Sequence, residues 1–408
     1  MTSVAEPTRA SRTGMRLRAL LHGRHSGWTA PLVVWAASRV VSTVLLATMY
    51  LVATANGWHF ASHRENASFL TFSGSWDASA YRTIAEHGYP TTLPTDAAGH
   101  VLPNAWAFLP VFPAVVRALM TLTGGSFWAV GVAVATLAGA GACVVLYRLV
   151  LAVGCSHRAR WATALFAFAP TGFLLQVAYA ESMLLLLVFG GLLALVRRRY
   201  AVVGALGVVA AFTKPGVLAL AVAVAVHLVV RWVRASRGQE PFPWRDRVPV
   251  LVVGAVLAAA GLAWPVVASV VTGRPDAYLD TELSWWVGYV GRQHFAPLTP
   301  WFVMAGTWLG PLGIGLVVVV LAAAVWFWTR RSVRALGPEV LGFTAAYGLY
   351  LVAVFLPQQS LPRLLMPIAP LLGSDAFVRT RRRAVTWLLV GVGLQPVAIV
   401  LLWFLGYP

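Results

Sequence analysis

Apolar runs long enough to cross a bilayer recur from Pro31 onward, and short arginine clusters separate them. A hydrocarbon core of about 30 Å needs a helix of roughly 17–25 residues. In lipid every backbone polar group must be satisfied within the protein, so only helices and closed barrels span it. A barrel would show alternating strands of about ten residues, and the sequence has none. The expected fold is therefore all-α, a polytopic transmembrane helical bundle. Composition agrees. The chain is 59% hydrophobic and 11% charged, whereas soluble domains carry about 25% charged residues.

The formal net charge of +18 raises the question of nucleic acid, but the placement of the charge excludes it. Most of the arginines lie in clusters at 9–24, 148–160, 197–199, 231–247, 330–334 and 379–383, between apolar segments. That is the positive-inside pattern, in which basic turns face the cytoplasm and lipid headgroups. Joining the clusters on one face requires eleven spans: 31–53, 126–147, 161–178, 182–196, 201–213, 216–232, 248–272, 301–328, 338–356, 364–378 and 384–405. The expected topology is a multi-pass protein of the plasma (inner) membrane with a cytoplasmic N-terminus. Residues 1–30 form a basic cytoplasmic segment and 31–408 one membrane-embedded domain. The N-terminal segment has no small-residue cleavage site, so it reads as an uncleaved anchor. Cys143 and Cys155 form no disulfide framework.

Residues 105–122 contain Pro110, Pro113 and Arg117 and break the alternation if counted as a span. They are expected to form a re-entrant or interfacial helix on the outer face, where irregular backbone lines a cavity. The 201–213 span is short and ends in "TKPG", the mark of a helix that stops at a cavity. The outer loops, chiefly 54–125 and 273–300, hold Glu65, Asp77, Glu86, Asp96, Glu181, Asp276, Asp280 and Glu282. They also hold His294, Arg363 and the sole lysine, Lys214. The unusual chemistry is therefore expected on the outer face.

Each candidate has two readings. Residues 75–88 read as a helix that Ser75 caps, with Asp77 in the first turn. Asp77 either complements the helix dipole or, beside Trp76 and Tyr81, serves as a desolvated general base. Glu86 lies nine positions on, half a turn off that face, and is either a solvated surface acid or a substrate ligand. Glu181, in "VAYAESMLL", is an ordinary helix-end residue or an acid facing a partner. Lys214 and Arg363 either snorkel to headgroups or hold an anion such as a lipid phosphate. Arg39 sits inside the first span and joins them as a candidate. The aromatics of 273–300 suit an interfacial belt or sugar contact. His294 has no neighbour at metal-ligand spacing, and no metal or cofactor is expected.

"WDASAYRTIAEHGYP" resembles the W-D-x-x-x-Y-x-x-I-A-x-x-G-Y segment of the second mannosyltransferase of GPI-anchor assembly and its bacterial relatives. "AFLPVFPAVVRAL" resembles that family's F-x-P-x-x-P segment, and the stretch ending "VAYAESMLLLLVFGGLLAL" its Y-S-E-S segment. "FTKPGVL" is similar to its T-R-P-x-G turn and "LPRLLMP" to its P-R-x-x-x-P segment. The matches run in order from about 76 to 370. They depart at Lys214, where the family has Arg, and at "YAES". The resemblance implies a GT-C membrane glycosyltransferase. It implies inverting, extracytoplasmic transfer of mannose from polyprenyl-phosphate-mannose to a lipid-linked or envelope glycan acceptor. It places the catalytic acid at Asp77. Trp76, Tyr81, Glu86, Glu181, Lys214, Arg363 and Arg39 would then contact substrate. The expected partners are the lipid-phosphate donor, the glycan acceptor and membrane lipids. The competing class is a transporter or flippase of a polyprenyl-linked sugar, for which broken helices and intramembrane charge would also suit.

Overall fold

A computed structural model describes residues 26–60 and 68–407. The basic segment at 9–24 and Glu65 lie outside the described residues. Among the described residues six helices are long and apolar enough to cross a membrane, and four shorter apolar helices join them. The protein is an all-α membrane helical bundle.

The first helix, α1, runs Ser26–Ala55. Two short helices follow, α2 (Asp77–His87) and α3 (Val111–Thr123). The central hairpins are built by α4 (Phe127–Val153), α5 (Ser156–Ala167), α6 (Glu181–Val196), α7 (Tyr200–Ala211), α8 (Leu218–Ser236) and α9 (Trp244–Thr272). A short loop helix, α10 (Ala277–Ser284), precedes α11 (Pro300–Thr329), α12 (Pro338–Val354) and α13 (Arg381–Ile399). Helices α4, α6, α8 and α12 share the largest core, with Leu185, Phe189, Leu192, Leu220 and Phe343 buried among them. The outer helices invert the soluble pattern. Leu312, Leu316 and Val319 of α11 are exposed apolar side chains, as lipid contact requires.

Two expected spans are not continuous helices. Over 161–178 the chain leaves α5 at Ala167, bends, and resumes as a 3-10 turn at Gly172–Gln176. Pro170 disfavours helix in the residue before it and cannot continue an α-helical ladder. All of 171–180 is buried, so this irregular backbone meets protein instead of lipid. Over 364–378 the chain forms a short helix at Leu361–Leu364, a 3-10 run at Met366–Gly373 and a turn of helix at Asp375–Val378. Pro362, Pro367 and Pro370 account for the interruptions.

The short helix expected within 105–122 is present as α3, with 13 residues. At about 1.5 Å per residue it reaches only about 20 Å, too short to span. Its start is tied to the end of α7 by Val111 N–H donating to Phe212 C=O at 3.0 Å. Basic turns distant in sequence meet one another. Arg158 pairs with Asp375 at 2.7 Å, beside the 379–383 cluster. Arg198 and Arg231 share Glu240, each at 2.9 Å.

Candidate functional site

Helix α6 starts at Glu181 and ends before the Arg197–Arg199 turn, and α7 returns from that turn toward Lys214. With 16 residues in α6 and about 1.5 Å per residue, Glu181 lies about 24 Å from the basic end. Glu181 and Lys214 are thus brought to the same end of the bundle by one helical hairpin.

Lys214 is set by the turn that ends α7. Thr213 Oγ1 donates to Val209 C=O at 2.8 Å, and Lys214 N–H donates to Ala210 C=O at 3.2 Å. The turn then reverses at Gly216 with φ +98, where a Cβ would lie 2.8 Å from Tyr347 and 3.0 Å from Tyr350. Only glycine has both that backbone freedom and that lack of bulk. Lys214 Nζ reaches Glu181 Oε1 at 2.5 Å.

Arg363 lies on the Pro-interrupted segment and is 8% exposed. Its Nη1 donates to Asp77 Oδ2 at 2.5 Å, and its Nε lies 3.3 Å from Glu181 Oε1. Four segments therefore contribute one chain of alternating charge, Asp77–Arg363–Glu181–Lys214. Glu181 is buried, and its Oε2 has no hydrogen-bond partner. Buried charges of this kind persist only when paired. The free oxygen is an acceptor that a donor from outside the chain can satisfy.

Asp77 is presented by an unusual turn. Trp76 precedes α2 with φ 58 and ψ −122, a conformation costly for a residue with a side chain. Ser75 does not cap α2 as expected, because its hydroxyl donates to Phe72 C=O at 2.9 Å. Tyr179 holds the turn instead. Its hydroxyl accepts from Asp77 N–H and donates to Ser75 C=O, both at 3.2 Å. Trp76 Nε1 donates to Trp403 C=O at 3.0 Å, and Trp403 Nε1 donates to Phe72 C=O at 3.1 Å. The Arg363 guanidinium sits 5.4 Å from the Tyr179 ring centre.

The remaining candidates divide. Tyr81 is buried against Phe108 and Phe112, with ring centres 5.3 and 5.1 Å away, and its electrostatics register Glu181, Asp77 and Arg363. Glu86 is not brought to the cluster. It pairs with Arg82 one turn back at 2.7 Å, and both side chains are solvent-accessible. Arg39 is also elsewhere. Its guanidinium donates to Ala167 C=O at 3.1 Å and to Gln176 Oε1 at 3.2 Å, and stacks 4.1 Å from the Trp35 ring. Ala167 is the last residue of α5, so Arg39 satisfies a carbonyl that the broken helix leaves open.

Two residues not singled out as candidates belong here. Tyr179 stands two positions before Glu181 in "VAYAES", which was a local signal. Glu282 lies on α10, is partly buried, and feels the charges of Lys214 and Asp77. The sequence marked Glu282 only as one acid among several in an aromatic loop. Helix α10 is fixed by Asn104 Nδ2 donating to Thr281 Oγ1 at 2.9 Å and by Arg274–Asp280 at 3.1 Å. Among the described residues no group of three metal-ligating side chains occurs.

Comparison with known proteins gives little. No family's sequence profile matches the chain, and no curated protein matches it. Among solved structures, the oligosaccharyltransferase of Archaeoglobus fulgidus, crystallised with zinc and sulfate, is 16% identical with a TM-score of 0.34. That match covers 91% of this chain and 49% of the other. The archaeal oligosaccharyltransferase AglB of the same organism, in complex with an inhibitory peptide and a dolichol-phosphate, is 15% identical with a TM-score of 0.33. It covers 91% of this chain and 50% of the other. The chain spans about half the length of the oligosaccharyltransferases it matches. Superposition at this level does not establish a common fold.

Proposed function

We propose that the protein is a membrane glycosyltransferase that moves mannose from polyprenyl-phosphate-mannose to a lipid-linked or envelope glycan acceptor, on the extracytoplasmic face and with inversion. The observation that carries this reading is the convergence of Asp77, Glu181, Lys214 and Arg363. They come from four of the five segments that resemble the mannosyltransferase motifs, and they meet at the end of the bundle away from the Arg197–Arg199 turn.

The chemistry needs a base for the acceptor hydroxyl and cations for the departing phosphate. A carboxylate has two oxygens and several lone pairs, so Asp77 can accept from a hydroxyl while Oδ2 stays on Arg363. The acceptor oxygen attacks the anomeric carbon, and its proton passes to Asp77. The bond from that carbon to the phosphate oxygen breaks with its electron pair on the phosphate. Lys214 and Arg363 stabilise the charge that develops there. Glu181 orients both cations, and its free Oε2 accepts from a sugar hydroxyl.

The test compares wild type with Asp77→Asn in lipid, using labelled polyprenyl-phosphate-mannose and an envelope glycolipid extract. A positioned base contributes about 10²–10⁴-fold, so Asp77→Asn should lose transfer by that factor while inserting and folding normally. A folded Asp77→Asn protein with full activity would falsify the role of Asp77. A wild type that moves the intact donor across a bilayer without transfer would replace the enzyme by a flippase.

A further inference from the structure

The basic turn between α8 and α9 is tied down on both sides. Gly238 takes φ +68 and donates its N–H to Ala235 C=O at 3.0 Å, which reverses the chain after α8. Arg231 is buried beneath the turn. It donates to Glu240 Oε1 at 2.9 Å and to the Tyr200 hydroxyl at 3.0 Å, with its guanidinium 4.1 Å from the Phe242 ring centre. Arg198 donates to Glu240 Oε2 at 2.9 Å. Arg247 closes the other side. Its Nε donates to Phe242 C=O at 2.8 Å, and its guanidinium lies 4.6 Å from the Trp232 ring centre and 5.5 Å from that of Phe242. A pocket of about 390 Å³ opens here, lined by Trp232, Ser236, Glu240, Phe242 and Arg247 among others.

An arginine fork fits a phosphate by paired hydrogen bonds. Among the described residues Arg247 Nη1 and Nη2 have no acceptor, so the fork that the two rings hold in place is left for a ligand. The pocket also offers acceptors. Ser236 Oγ gives its proton to Val233 C=O at 2.9 Å and keeps its lone pairs, and Glu240 keeps those its two arginines do not use. Arg198, Arg231 and Arg247 outweigh Glu240, while Arg245 and Asp246 alongside offset each other. The pocket is therefore net positive. Its mouth borders the lipid-facing surface. Trp232, Val229 one turn before it and Leu251 one turn after Arg247 are exposed apolar side chains on the same two helix faces, where an acyl chain fits. We infer that the pocket binds one anionic phospholipid whose headgroup carries hydroxyls, of the phosphatidylglycerol kind. Its phosphodiester sits on Arg247, and its hydroxyls donate to Ser236 and Glu240. The site lies at the basic end of α8, away from Lys214 and Asp77, and does not depend on the transfer proposed above.

The test offers the full chain in detergent an equal mixture of phosphatidylglycerol, phosphatidylmethanol and phosphatidylcholine with identical acyl chains, and reads the retained lipid by native mass spectrometry. Phosphatidylglycerol should be retained about tenfold over phosphatidylcholine, as a charge-assisted pair predicts. Phosphatidylmethanol has the charge without the hydroxyls and should be retained about threefold less than phosphatidylglycerol. Arg247→Gln should bring phosphatidylglycerol down to the phosphatidylcholine level. Arg330→Gln removes a stack on Trp326 at 4.5 Å in another basic turn and should leave retention within about twofold. The deacylated headgroup, glycerophosphoglycerol, should not displace the lipid. No preference for phosphatidylglycerol over phosphatidylcholine, unchanged retention in Arg247→Gln, or an equal loss in Arg330→Gln overturns the site. Equal retention of phosphatidylmethanol overturns the hydroxyl contacts. Displacement by glycerophosphoglycerol overturns the lipid and assigns the pocket to a soluble phosphoester. If Arg247→Gln does not fold, Arg247→Lys keeps the charge, loses the fork and should lower retention about threefold; unchanged retention there overturns the site.

Discussion

At the scale of single residues, Tyr179 decides how Asp77 is held. Its hydroxyl is the shared partner of a backbone N–H and a backbone C=O on either side of the strained Trp76. Each of the two bonds contributes about 1 kcal/mol. Tyr179→Phe should therefore lower stability by about 2 kcal/mol. It should also reduce turnover about tenfold, with donor affinity within about twofold of wild type. Thermal unfolding in detergent, read beside transfer and binding assays, checks all three. Arg39 and Glu86 show the opposite case. Both have the chemistry of a site, yet one stabilises a broken helix end and the other forms an exposed pair within α2. Their residue types say nothing of which neighbours the fold supplies.

At the scale of elements, the turn after α7 shows how backbone geometry places a charge. Gly216 combines positive φ with two tyrosine rings at contact distance. Gly216→Ala should cost about 1–3 kcal/mol and displace Lys214 from Glu181. The measurement is thermal stability together with donor affinity, and both should fall. This turn was legible as "TKPG", because Pro and Gly act locally. The helix at 77–87 and the short helix at 111–123 were legible for similar reasons, through length, charge and proline. The breaks over 167–180 and 361–378 were not. Hydropathy reads a buried irregular segment and a lipid-facing helix alike. The partners that satisfy the broken backbone are far away in sequence, with Arg39 and Ala167 separated by 128 residues. The Asp77–Arg363 pair, 286 residues apart, was beyond local reading for the same reason.

At the scale of the whole molecule, the arginine clusters predict which end faces the cytoplasm, and two cysteines can report it. Cys155 is exposed in the basic turn between α4 and α5, while Cys143 is buried within α4. A membrane-impermeant maleimide should leave intact cells unlabelled and label Cys155 once the inner membrane is opened. Labelling of Cys155 in intact cells would reverse the topology and put Asp77 on the cytoplasmic side. The bundle also closes on itself. Trp76 hangs on a carbonyl 327 residues further along the chain, and Tyr407 packs its ring 5.8 Å from the same indole. The turn that presents Asp77 is therefore translated early and supported late. A ribosome must deliver the chain as far as Trp403 and Tyr407 to the membrane before that turn has its partners. Until then a nascent chain carries Asp77 without the indole and ring contacts that set its turn.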